Sequence, residues 1–526
     1  MDQGRYGVRR LVLMFVTVAL VGTPRPGSAQ RLGSVQFPTS GSAAAQPHFI
    51  RGVLYLHGFE YADAARAFRE AQGVDPGFAM AYWGEAMTYT HPVWNQQDAE
   101  VARSALRRLA TTADARKARA ATAREQAYLH AVEVLYGDGS KPRRDTLYSR
   151  EMERIAAANP GDHEAELFFA LSLLGLNQGD RDVPTYERAG GLAERVLALE
   201  PDNPGAAHYV IHAYDDPSHA ERGLAAARAY SKIAPDAAHA QHMTTHIFLA
   251  LGLWDDVVAQ NETAMRVVNE ARHHRGAAAS GCGHYNEWLQ YGYLQQGRVL
   301  DAARVLDQCW ASSPPEGVDD IESLAGMRAA YLVDSRDWSG QYAREPKGRE
   351  PGTRAYLAFG TGFAGAMRGD RPAAEQALAS LDSAAALTKG EPGTYGKILG
   401  LELRGIVLAM QGETARGLAA VREAARLDDA LPMPFGPPLT VKPPHELLGD
   451  MLLAAGQPAE AAGAFRKALE RAPNRAMALV GLARAARAAG DNAEAGRACT
   501  ALRTIWHAAD DDLAAAAASG CPLEAH

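Results

Sequence analysis

From His48 onward, apolar residues recur at intervals of three and four, with polar positions between them and short turns carrying glycine or proline. That is the period of an amphipathic α-helix. The stretch HFIRGVLYLHGFEYADAARAFREAQGVDP reads as two successive helices, with Gly52, Tyr55, Ala64, Phe68, Ala71 and Pro76 at helical spacings. Near the other end, HELLGDMLLAAGQPAEAAGAFRKALERAP places Gly449, Leu452, Ala461, Phe465, Ala468 and Pro473 at the same mutual offsets. A glycine or alanine lets two backbones approach, and a proline stops a helix because it lacks the donor and clashes with the preceding turn. In the middle of the chain, Pro201 and Pro235 lie 34 residues apart, each after an alanine-rich helix (GLAERVLALEP and GLAAARAYSKIAP). Weaker units follow around Gly252, Gly297, Gly369 and Gly412, and strand signals are few. The pattern predicts about ten or eleven helix pairs over roughly residues 46–509.

These residues and this period resemble the tetratricopeptide repeat (TPR), a 34-residue pair of antiparallel helices that buries its apolar faces against neighbouring pairs. The resemblance implies an all-α fold, a right-handed α-α superhelix or TPR solenoid, in which the first helix of each unit lines the concave surface. Three stretches depart from the period. Residues 95–160 are charged and helical without dividing into clean units, which predicts an insertion or elongated helices. Residues 340–353 (GQYAREPKGREPGT) are polar with glycine and proline, as at a boundary between arrays. Pro432, Pro434, Pro437, Pro438, Pro443 and Pro444 predict a stiff connector. The expected organisation is a signal peptide (1–29), a linker (30–45), an N-terminal array with insertions (46–345), a C-terminal array (352–509) and a tail (510–526).

Composition narrows the class of partner. The 526 residues carry a net charge of -8, which offers no electrostatic footprint for nucleic acid. Arg5, Arg9 and Arg10 precede the apolar run Leu11–Gly22, and small residues follow up to Ala29. That layout predicts export through a signal peptide, to the periplasm or beyond the cell, as in exported bacterial TPR proteins. No other segment is apolar and long enough to span a bilayer. An oxidising compartment would permit Cys282 with Cys309, or Cys499 with Cys521, to close, but four cysteines allow three connectivities. No Cys-x-x-Cys is present, and no Gly-x-Ser-x-Gly elbow anchors a serine hydrolase.

Histidine is where the sequence is unusual. His208 and His212 lie seven and eleven residues after Pro201, and His242 and His246 lie seven and eleven after Pro235. Residues four apart share a helix face and neighbouring helices pack roughly 8–10 Å apart, so the four imidazoles should form one patch. The TPR resemblance implies that this phase faces the groove. His239 precedes His242 by three residues, and Asp215 follows His212 by three. If Gly297 is aligned with Gly252, His284, Glu287 and Tyr291 occupy the phases of His239, His242 and His246.

Neutral imidazoles with a carboxylate on rigid helices can make a metal site, and the same groups can hold a peptide or a small ligand by hydrogen bonds. The leading expectation is an exported TPR solenoid binding a protein, peptide or small ligand through His208, His212, Asp215, His239, His242, His246, His284, Glu287 and Tyr291. The alternative is a metal-binding protein or metal-dependent enzyme, with zinc, copper, iron or manganese held by some of His208, His212, His242 and His246, and Glu287 or Asp215 as ligand or base. A third possibility is an assembly scaffold without a defined pocket. Trp83, His91 and Trp94 are candidates for an aromatic wall, although tryptophan in such repeats commonly packs a seam.

Overall fold

A computed structural model of the chain describes residues 30–176, 181–312, 319–344, 350–433, 435–518 and 521. The expected signal peptide therefore lies outside the described residues. The helices come in antiparallel succession: α1 (Gln46–His57) with α2 (Tyr61–Val74), and α3 (Ala79–Met87) with α4 (Ala99–Leu109). Then follow the short α5 (Ala113–Lys117), α6 (Ala123–Leu135) with α7 (Lys141–Ala158), and α8 (His163–Leu174) with α9 (Val183–Leu199). The central pairs are α10 (Pro204–Ala213) with α11 (Ala220–Ile233), α12 (Ala238–Ala250) with α13 (Trp254–His274), and α14 (His284–Gln295) with α15 (Val299–Ser312). After α16 (Asp319–Asp334) come α17 (Pro351–Met367) with α18 (Arg371–Leu387) and α19 (Gly390–Met410) with α20 (Thr414–Asp429). The series ends in α21 (Pro444–Ala454) with α22 (Pro458–Arg471), α23 (Ala476–Ala488) with α24 (Asn492–Ile505), and α25 (Asp511–Ala518). Among the described residues, strand is confined to a two-residue antiparallel bridge, Thr90 with Gln97 and His91 with Gln96. The fold is an all-α helical-repeat solenoid, and no described helix is long and apolar enough to cross a membrane.

The repeat chemistry is the same at both ends. A β-carbon on Gly52 or on Gly84 would fall 2.6 Å or less from the Phe68 ring, which is wholly buried between the two helices. Gly449 and Gly481 hold Phe465 in the same way. Each aromatic thus fills the seam of its own hairpin and the first helix of the next, so neither helix pair could bury its apolar face alone.

Segments far apart in the chain also pack on one another. Residues 31–41, expected as linker, run extended and pack inward: Phe37 is buried among Phe49, Trp83, Tyr128 and Phe168. Arg31 pairs with Asp236, and Ser40 is held by Glu125. An aromatic at Phe37 makes this segment part of the core. The end of α1 reaches α10, where a β-carbon on Gly205 would sit 2.3 Å from His57 Nδ1. The C-terminal repeats return to the middle of the chain. A β-carbon on Gly252 (φ +65°) would fall 2.4 Å from the Pro473 carbonyl oxygen, and Trp254 Nε1 donates to the Asn474 carbonyl. Arg475, fully buried, bonds Asp334, Glu446 and the Tyr291 hydroxyl, tying α23 to α16, α21 and α14. Both nearest-neighbour cysteine pairs are closed, Cys282 with Cys309 and Cys499 with Cys521.

Candidate metal centre

Two helices supply five of the six site histidines, and both are buried on nearly every face. A helix apolar or buried all round belongs in a core, and α10 and α12 lie there. Asn203 caps α10 by accepting from the Gly205 and Ala206 amides, and Pro204 sits in its first turn. The cap fixes where His208 and His212 emerge. His284 opens α14, two residues after Cys282, whose disulfide to Cys309 anchors the approach to that helix on α15.

The histidines assemble as two trios. The first is His208, His212 and His239, and the second is His242, His246 and His284. Within each, one ring nitrogen per residue lies within 4.8 Å of the others. The trios adjoin: rings of His212 and His246 are 6.3 Å apart and those of His239 and His242 are 6.4 Å apart, against 4.6–5.1 Å between closest neighbours inside a trio. His208, His212, His242 and His246, expected as one ligand set, are therefore divided between two sets, because the third ligand of each comes from His239 or His284.

The outer hydrogen bonds set the tautomers. His208 donates from Nδ1 to the His57 carbonyl at 2.6 Å. His246 donates from Nδ1 to Asp215 Oδ2 at 2.6 Å. His242 donates from Nδ1 to Asn261 Oδ1 at 2.9 Å, and the Asn261 amide is oriented by its own donation to the Val257 carbonyl. Committing these Nδ1 protons leaves Nε2 as a bare donor atom on each ring, the arrangement that outer partners give to metal-ligating histidine. His57 is itself locked, with Nε2 donating to Glu164 and Nδ1 accepting from Tyr209.

The inward-facing atoms do not satisfy one another. Nε2 of His208, His212 and His239 is buried without a hydrogen-bond partner. In the second trio, His242 Nε2 stands 3.2 Å from His246 Nε2 and 3.0 Å from His284 Nε2. Burial, and then repulsion from neighbouring imidazoles, holds His208, His212, His239 and His242 well below the ordinary imidazole range. His284 is exposed as a residue, yet burial of its inner edge, with repulsion from His246, lowers it to about 4. These rings are neutral at pH 7. Asp215 Oδ1 also has no partner, while the Asp215 carbonyl is gripped by Arg181.

An aromatic shell covers the rings. Phe59 lies 4.3 Å from His208 and within 6 Å of His212 and His239, while Trp288 lies 4.3 Å from His246. Phe59 takes φ +55°, a left-handed conformation unfavourable for a bulky residue. At the matching offset in the C-terminal repeat the chain has Gly456, with φ +74°. A phenylalanine where the repeat wants glycine is a signal of the site that the sequence carried and the histidine pattern did not reveal.

Other expected residues are placed differently. Glu287 is turned toward Ser323, and burial raises its carboxyl pKa. Tyr291 is taken up by Arg475 and the ring of Trp254. Neither joins the histidines, because Glu287 is turned to Ser323 of α16 and Tyr291 to Arg475. Of the aromatic wall, Trp83 is seam core, whereas His91 stacks on Tyr61 and the half-exposed Trp94 borders Phe59 and His239. His57, Phe59, Tyr230, Asn261 and Tyr285 also contribute, and only the fold brings them here.

No family model matches the chain, and no curated protein matches it. Among solved structures it is similar to the human IFIT1 dimer with m7Gppp-AAAA, at 14% identity over 90% of this chain and 92% of that chain, with a TM-score of 0.35. It is likewise similar to yeast Tom70, at 12% identity over 86% of this chain and 96% of that chain, with a TM-score of 0.33. At this level the likeness carries no argument, and the helical-repeat architecture rests on the helices themselves.

Proposed function

We propose that this chain is a helical-repeat metalloprotein whose two adjoining tri-histidine sites each hold one first-row transition-metal ion. The observation that carries the reading is the contact between His242 and His246. Their Nδ1 protons are committed to Asn261 and Asp215, which leaves Nε2 of each ring as the atom that faces the other, 3.2 Å away. Facing lone pairs at that distance repel unless a cation lies among them, and three imidazole nitrogens make a suitable first shell for zinc, copper, iron or nickel. The first trio supports the same reading independently, with three buried nitrogens that lack partners.

A peptide-binding groove fits these residues less well, since the rings lie beneath Phe59 and Trp288. Export belongs to the proposal, supported by the layout of residues 1–29 and by the two disulfides. The test is equilibrium dialysis of purified, chelator-stripped protein against Zn2+, Co2+ and Cu+ in turn, with metal measured by mass spectrometry. Two equivalents are expected for at least one ion, and one equivalent in His242→Ala. If no first-row ion binds more tightly than about micromolar at neutral pH, the metal reading is refuted.

A further inference from the structure

Building on the metal reading, we propose that the two trios hold a pair of cuprous ions that together bind one molecule of dioxygen. Three observations lead there. The first is the donor set. Among the described residues, no carboxylate oxygen joins either group of converging ligand atoms, and Asp215 accepts from the outer nitrogen, Nδ1, of His246. Iron and manganese pairs in helical proteins are held largely by carboxylates, whereas imidazole suits copper.

The second is charge. Six imidazoles bring no negative charge to two ions held side by side. Repulsion scales with the product of the charges, so two divalent ions repel about four times as strongly as two monovalent ones at the same separation and dielectric. Cu+ is the monovalent first-row ion that imidazole binds. The third is spacing. Rings of different trios come within 6.3–6.4 Å, no farther than His246 lies from His284 inside one trio, so the two sites adjoin and a diatomic molecule is the size of ligand they could share. Two-metal sites generally hold their ions roughly 3.5–4 Å apart. Phe59 and Trp288 cover that space with apolar surface.

The step balances without an outside reductant. Each Cu+ gives one electron, and dioxygen accepts both to become peroxide bridging two Cu2+ ions. The O–O bond keeps one of its two bonding pairs, no proton moves, and the charge on the pair with its bound oxygen stays at two positive units. Release reverses the electron flow.

The experiment loads the full chain anaerobically with a cuprous acetonitrile complex, against a cuprous-specific chelator, then admits air. Two copper equivalents are expected, then an intense near-ultraviolet charge-transfer band with no Cu2+ paramagnetic resonance signal, because the two spins couple. Purging with argon should remove the band. His284→Gln, a change at an exposed residue that spares the fold, should keep the His208 trio's copper and lose the band, and His208→Gln should keep the other trio's copper and likewise lose the band. Two bound coppers that give no band, or the resonance signal of isolated Cu2+, would overturn the dioxygen proposal and leave the metal reading standing. Tight binding of two zinc ions with no cuprous binding would overturn it equally. Failure of every ion to bind would remove both.

Discussion

Asp215→Asn replaces one carboxylate oxygen by NH2 and leaves the shape of the site intact. The carboxylate accepts the His246 Nδ1 proton at 2.6 Å, and both side chains are at least nine-tenths buried, so solvent screens the interaction little. A charge-assisted bond is roughly twice as strong as its neutral counterpart, and the amide can also turn its NH2 toward the ring, which moves the ring proton to Nε2 and removes the lone pair. Loss of such an outer partner commonly lowers metal affinity ~10- to 100-fold, or about 1.4–2.7 kcal/mol. The effect should fall on one of the two metal equivalents, the one held by His242, His246 and His284, because the first trio takes its orientation from the His57 carbonyl. Competitive titration with a chromophoric chelator, resolved into two equivalents, measures this directly. Unchanged affinity at both, or an equal loss at both, would refute the tautomer argument.

Cys282→Ser with Cys309→Ser opens a loop with a sequence separation of 27 and should cost roughly 3–4 kcal/mol by loop-closure entropy, read from denaturant unfolding. Because Cys282 lies two residues before His284, the same variant should weaken the second metal equivalent more than the first. Glu402 is fully buried, neither of its carboxylate oxygens has a partner, and burial first and then Asp428 raise its pKa well above the usual range. The unfolded chain ionises near pH 4.5 while the folded chain stays protonated, so this residue lowers stability progressively as pH rises above that value. Glu402→Gln should therefore raise the melting temperature at pH 7 and give no gain near pH 4, in paired thermal melts. Arg475→Met leaves Asp334 buried without its cation and Glu446 with Lys442 alone, and should cost about 3–5 kcal/mol in denaturant unfolding, since three distant helices lose a shared anchor.

Much of the fold was legible in residues. The matched offsets of Gly52, Phe68 and Pro76 with Gly449, Phe465 and Pro473 specify helix hairpins, because a glycine crossing and an aromatic seam have one geometric solution at that spacing. His-x-x-x-His after Pro201 and again after Pro235 likewise placed four imidazoles together, since residues four apart share a face wherever a helix lies. His239 and His284 were legible as candidates, as was Asp215. What their pattern did not contain was the partition into trios, which depends on how α12 and α14 meet.

The sequence by itself determined the elements and the register of the histidines, both of which are local consequences of a 3.6-residue period. Only the tertiary structure decided that Phe59 of the α1–α2 turn and Trp288 of α14 cover the rings, so that His208, His212, His242 and His246 are buried rather than offered to a groove. It also turned Glu287 and Tyr291 away and brought in His57, Phe59 and Asn261. The physical reason is that burial, tautomer and ligand grouping are set by contacts between segments far apart in the chain, such as His57 with His208, and no local pattern encodes those distances.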